Sequence, residues 1–123
     1  MTELTEGRHT GEYIVSEANG DRAREHVTIV LGQNLQPGDV VGKITASGKY
    51  AIYNNAQTNG TEVAAGILYA AVDATAADKA GVISARDCTV NADELGWNAQ
   101  AQPAIDAGIT DLKALGIIVR PGY

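Results

Sequence analysis

The sequence contains no phenylalanine, one cysteine, three prolines and nine basic residues among 123. Each shortage removes a class of protein. A single thiol, Cys88, leaves no intrachain disulfide and no thiolate zinc cluster. The nine Lys and Arg are outnumbered by 15 Asp and Glu, for a net charge of -6. That balance argues against a nucleic-acid binder, because affinity for phosphates comes mainly from basic side chains. No apolar run nears the roughly 18 residues of a membrane helix. The N-terminus, with Glu3, Glu6 and Glu12, lacks the basic-then-apolar order of a signal peptide. Together these predict a chain made in the cytoplasm, with neither nucleic acid nor membrane as partner.

The missing phenylalanines leave rings only at Trp97 and five tyrosines, while glycine reaches 14. The core must therefore be built from Val, Ile, Leu and Ala, which bury little area each at about 25 cal/mol per Å². A thin core fits a protein that gains stability from an assembly. The length fits one domain with one buried core. Nothing in the order of residues divides it into two.

Residues 1–25 read as an N-terminal arm, and 26–123 as a single core domain. The arm is polar and interrupted by Gly7, Gly11 and Gly20, and has little to bury by itself. Its one apolar knot, Tyr13-Ile14-Val15, is a candidate strand awaiting a partner.

From Val27 the pattern turns to period two. Val27, Ile29 and Leu31 alternate with Thr28 and Val30, and Gly32 bounds the strand. Gln36-Pro37-Gly38-Asp39 is a turn, with proline setting φ at the second position and glycine accepting a positive φ at the third. Residues 40–44 and 49–53 read as strands about a Ser47-Gly48 turn. In the latter, Tyr50 and Ile52 share one face while Ala51 and Tyr53 share the other. A polar loop follows to the Asn59-Gly60 turn signal.

Residues 63–72 form a continuous small-apolar run, read as one buried strand, and 82–90 read as another. Residues 91–95 resemble a helical turn with Asn91 as N-cap. The clearest helix is the last element. Pro103 suits its first position, Ile105, Ile109 and Leu112 fall at i, i+4 and i+7, and Gly116 suits the cap. Gly108 inside it costs about 1 kcal/mol. A short strand, Ile117-Ile118-Val119, ends before Pro121. The expected class is β-rich α+β, a small mixed sandwich or barrel-like core with one or two short helices and a flexible N-terminal arm.

No constellation carries catalysis. Cys88 with His26 or His9 lacks any local feature that would hold a thiolate beside an imidazole. A buried inert thiol is the simpler reading. Asp73, Asp78, Asp93 and Glu94 lack the alternation and bidentate Glu of a calcium loop, and no phosphate-cradling glycine loop is present. No metal or cofactor is expected. Asp78-Lys79-Ala80 matches the tripeptide around the modified lysine of lipoyl- and biotinyl-like acyl-carrier domains. A swinging lysine needs an exposed hairpin tip near a Pro-Gly-Asp turn, and here the two lie far apart, so a solvated loop lysine is preferred. Trp97 is a core or core-edge ring on the bland reading and a subunit-interface anchor on the sharper one.

The order of elements resembles one family. Leu35-Gln36-Pro37-Gly38-Asp39-Val40-Val41-Gly42-Lys43-Ile44, followed by Gly48-Lys49-Tyr50, is similar to the opening of lambda-type bacteriophage head decoration proteins. Ala65-Gly66-Ile67-Leu68, Val72-Asp73-Ala74, the 82–90 segment, 91–97 and Gly116-Ile117-Ile118-Val119-Arg120 keep the same order. The resemblance covers roughly residues 27–120. It implies a non-enzymatic capsid cement, a homotrimer on the outer surface of the expanded head whose partner is the major capsid protein. It also implies an N-terminal segment that orders on the capsid. The residues expected to make that contact are Glu12, Tyr13, Ile14 and Val15, continued by Val27 and Thr28, with Trp97 at the trimer interface. The competing classes are an acyl-carrier domain and a generic adhesion or oligomerisation module.

Overall fold

The computed structural model describes residues 13–17, 23–97, 100 and 102–120. Among them are β1 (Ile14–Glu17), β2 (Arg24–Ile29), β3 (Gln33–Leu35), β4 (Val40–Lys43), β5 (Tyr50–Ile52), β6 (Gly66–Leu68), β7 (Val72–Ala74), β8 (Lys79–Ser84), β9 (Cys88–Asn91) and β10 (Ile117–Arg120). A 3₁₀ turn (Ala92–Glu94) and one helix, α1 (Gln102–Ala114), complete the fold. This is the β-rich barrel class with minor helix that the sequence predicts.

Five strands close a barrel in the order β2-β5-β4-β6-β8. β2 pairs antiparallel with β8 along its whole length, from Arg24↔Ser84 to Ile29↔Lys79. The closing seam is slight by comparison. β5 meets β2 in parallel at Ile29↔Tyr50, with the Val30 N–H donating to the Tyr50 carbonyl at 3.0 Å. A second sheet has the order β1-β9-β10, and β3 pairs with β7.

Period-two alternation explains why so few large side chains suffice. β4 sends Val40 into one core cluster and Val41 into another, and β6 does the same with Ile67 and Leu68. Around β5 the split falls as expected from sequence, with Tyr50 in one cluster and Tyr53 in the other. The first cluster lies between the β1-β9-β10 sheet, α1 and the barrel wall, and includes Tyr13, Val90, Leu112 and Ile117. The second joins barrel residues Ile29, Val41, Leu68 and Ile83 to Leu35 and Val72 of the β3-β7 pair. One thin wall thus serves two cores.

Local signals hold where chemistry dictates the backbone. The Asp39 N–H donates to the Gln36 carbonyl at 3.1 Å, and Gly38 has φ 91°. That is a type II turn with proline in its favoured place. The helix starts beside Pro103 and stops before Gly116, as its sequence marks predict.

Two expected strands are corrected. The run 63–72 divides into β6, in the barrel, and β7, which leaves it to pair with β3. Continuous apolarity reflects burial in both cores, not one long strand. Likewise 82–90 divides between β8 and β9, and the chain changes sheets at Asp87, whose φ is 53°. Lys79, expected in a loop, opens β8 opposite Ile29.

Candidate functional site

The residues that sequence chemistry singled out do not converge. Cys88 is buried in the first core cluster, while His26 is exposed on β2 opposite Val82. His9 lies outside the described residues. Among the described residues no group of three His, Cys, Asp or Glu is placed to hold a metal ion.

Asp78 has a different use. One carboxylate oxygen accepts the Leu31 N–H at 2.7 Å, and the other meets Lys49 Nζ at 2.5 Å. The Lys49 ammonium and the Leu31 N–H hold this carboxyl below the usual range. Asp78 therefore ties the β2-β3 turn and the start of β5 to the entrance of β8. Lys79 beside it stands within a barrel strand, not on a hairpin tip, and the acyl-carrier alternative loses its geometry.

The N-terminal boundary also moves. Tyr13, placed in the arm by the sequence, is 1% exposed. Its hydroxyl lies 2.5 Å from Ser84 Oγ and donates to the Ile67 carbonyl at 3.2 Å. The Tyr13 carbonyl accepts the Asn91 N–H at 2.8 Å. β1 then runs antiparallel to β9, with Ile14↔Val90 and Glu17↔Cys88 in register and an irregularity between Ile14 and Ser16. The strand that awaited a partner finds it within its own chain. Ala23 is fully buried, and its carbonyl accepts the Ala85 N–H at 2.7 Å. Residues 13–17 and 23–25 thus belong to the folded body, while Glu12 and the preceding residues lie outside the described part. Val27 packs partly against the second core cluster and Thr28 is exposed, both within the β2-β8 ladder.

Trp97 packs within the protomer and is half-buried. Its ring meets Tyr53 edge to face at a centroid distance of 5.9 Å. The glycine that seemed a defect in the helix makes this contact possible. A Cβ on Gly108 would sit 2.5 Å from Trp97 Cζ3 and 3.1 Å from Tyr53 Cε2. Around the ring pair, the Tyr53 hydroxyl donates to the Ala104 carbonyl at 2.7 Å, and Gln100 Nε2 donates to the Tyr53 carbonyl at 2.8 Å. Burial pushes the Tyr53 hydroxyl above the ordinary tyrosine range. Sequence reasoning missed this node and the Tyr13 mooring. The visible signal was large rings in a chain otherwise made of small side chains.

The remaining features are surfaces. Shallow grooves of about 500 and 410 Å³ flank Glu25 and Tyr50 at the barrel seam. The second is apolar, with Val63 and Leu115 exposed in it and the Arg86–Glu25 ion pair (3.5 Å) at its rim. Such open, largely aliphatic relief suits contact with another macromolecule more than capture of a small molecule.

A family model decides the matter. The bacteriophage lambda head decoration protein D family matches residues 3–117. The chain belongs to that family. The match takes in the barrel, the three-stranded sheet, the helix and most of the segment before Tyr13. No curated protein sequence gives a significant match. Membership makes the chain a structural component of a phage virion with a capsid-decoration role. The exposed surfaces of this head decoration protein are accordingly its functional parts.

Proposed function

We propose that this head decoration protein acts as a trimeric cement. Made in the cytoplasm of the bacterial host, it binds the major capsid protein on the outer surface of the expanded head. There it stabilises the shell against the pressure of packaged DNA. The observation that carries this reading is the family match, which extends to residue 3, ahead of the folded body that starts at Tyr13. Because Tyr13, Ile14 and Val15 are moored on β9, the capsid-binding arm consists of Glu12 and the residues before it, held at a defined root. Strand addition supplies main-chain hydrogen bonds to an exposed edge without any catalytic group. Val27 and Thr28 lie in the barrel wall, and Trp97 supports the protomer.

The energetics suit a cement. Three linked arms exceed one in avidity by about 10² to 10⁴. Binding only the expanded shell stabilises it by about 2.7 kcal/mol per site at a hundredfold excess over Kd. The net charge of -6 suits an outer face that does not meet packaged DNA.

Co-sedimentation with expanded and unexpanded heads tests the reading. The full chain is expected to saturate expanded heads near one copy per capsid subunit and to leave unexpanded heads bare. Deleting residues 1–12 is expected to preserve folding, read by circular dichroism and thermal melting, and to abolish head binding. Undiminished binding by that truncation would sink the arm, and no binding by the full chain would leave an oligomerisation module with another partner.

A further inference from the structure

We propose that the two open edges of the three-stranded sheet join copies of this chain head to tail, β1 of one protomer against β10 of the next. The inference deepens the proposed function and rests on it only for the expected number of three. β9 is the central strand, so β1 and β10 each keep one side of the backbone unpaired within the sheet. The barrel has no such edges, because closure removes them.

The side chains at the two edges fit each other. Val15 on β1 is 42% exposed and Ile118 on β10 is 36% exposed. Beside β10 opens a cavity of about 180 Å³ lined by Ile109, Lys113, Ile117, Ile118 and Val119. An apolar cavity of roughly 150 Å³ holds a benzene ring, so this one has room for an aliphatic side chain such as Val15 of the next copy. Charge favours the same pairing. β10 ends in Arg120 and Lys113 lines its cavity, whereas β1 carries Glu17 and follows Glu12 in the sequence. Opposite signs favour β1 against β10 over either edge against itself, where like charges would face.

Two different surfaces in contact make a heterologous interface, which closes into a ring when the rotation per copy allows it. The irregularity in β1 and Pro121 after β10 shorten the stretch each edge offers, and so discourage indiscriminate edge pairing.

The test is a disulfide that only two copies can form. Within one protomer Val15 and Ile118 stand on strands either side of β9, roughly 9–10 Å apart. A disulfide needs Cα atoms about 4.4–6.8 Å apart. The full-length double variant Val15→Cys, Ile118→Cys, mildly oxidised, is expected to run on a non-reducing gel as covalent dimer and trimer and to revert with thiol. Cys88 is buried and stays out of the exchange. The control pair Leu31→Cys, Ile118→Cys uses a more exposed site, Leu31 at 55%, and is expected to give no ladder. Ile118→Lys alone is expected to weaken self-association about tenfold in sedimentation velocity. An oligomer without the cross-link, or a chain monomeric at millimolar concentration, overturns the proposal. A cross-linked trimer that fails to sediment with expanded heads supports these edges and sinks the decoration reading instead.

Discussion

The closed barrel and the open sheet use the same small residues to opposite ends. In the barrel every strand has two neighbours, so its backbone groups are spent inside the fold and it offers a partner little beyond side chains. The β1-β9-β10 sheet buries one face with Tyr13, Val90 and Ile117 and leaves both edges open. The difference teaches where a thin-cored protein keeps its capacity for association. Closure stabilises the body, and the open sheet, with the arm rooted on its edge strand, carries the contacts. Tyr13 links the two, because its backbone belongs to the sheet while its hydroxyl reaches Ser84 and Ile67 of the barrel.

The largest break in this arrangement is expected from Tyr13→Ala. It removes a fully buried ring and its hydrogen bonds to the barrel, a loss of about 3–5 kcal/mol. Urea unfolding of the full chain measures it. The loss should greatly exceed that of Tyr13→Phe, about 1 kcal/mol, which deletes only the hydroxyl. Equal losses would mean that the ring contributes little and that sheet and barrel are not joined there.

A smaller effect sharpens the sheet side. Gly108→Ala puts a methyl against Trp97, at an expected cost of about 1–3 kcal/mol, although alanine is ordinarily the better helix former. In a Trp97→Ala background the cost should fall toward zero, as helix propensity of about 1 kcal/mol offsets the remaining approach to Tyr53. A double-mutant cycle read by thermal melting isolates this coupling.

The smallest effect lies at the barrel mouth. The Asp78 carboxyl is held below its ordinary range by Lys49 and the Leu31 N–H. Its contribution is therefore present above the unfolded pKa of about 3.9 and is lost as pH falls through the lower folded value. Asp78→Asn is expected to flatten the acid side of the stability–pH curve slightly and leave head binding intact. Both partners are exposed, so high salt should mimic the variant in part.

Where local chemistry dictates the backbone, the sequence was legible. The Gln36–Asp39 turn needs proline and glycine in that order, and the helix between Pro103 and Gly116 announces both ends. The alternation around Tyr50 and Tyr53 told which face each ring takes. Apolar runs were less informative. Residues 63–72 and 82–90 each look like one strand, because periodicity reports burial and not the sheet to which a strand belongs. Asp87, in its positive-φ conformation, marks the change of sheet without any glycine signal. The arm was misjudged for a related reason. Tyr13-Ile14-Val15 is too short to show a partner in its own neighbourhood, and the partner, β9, lies some seventy residues onward.

The sequence by itself determined the class of protein: β-rich, acidic, without disulfide or catalytic cluster, and similar to head decoration proteins over most of its length. Those properties follow from composition, local turns and ordered motifs, which act over a few residues. Only the tertiary structure decided that one wall serves two cores, that Gly108 makes room for Trp97, and that the folded body starts at Tyr13. Each of these depends on contacts between residues far apart in the chain, whose register is set by closing the barrel and packing the sheet against it.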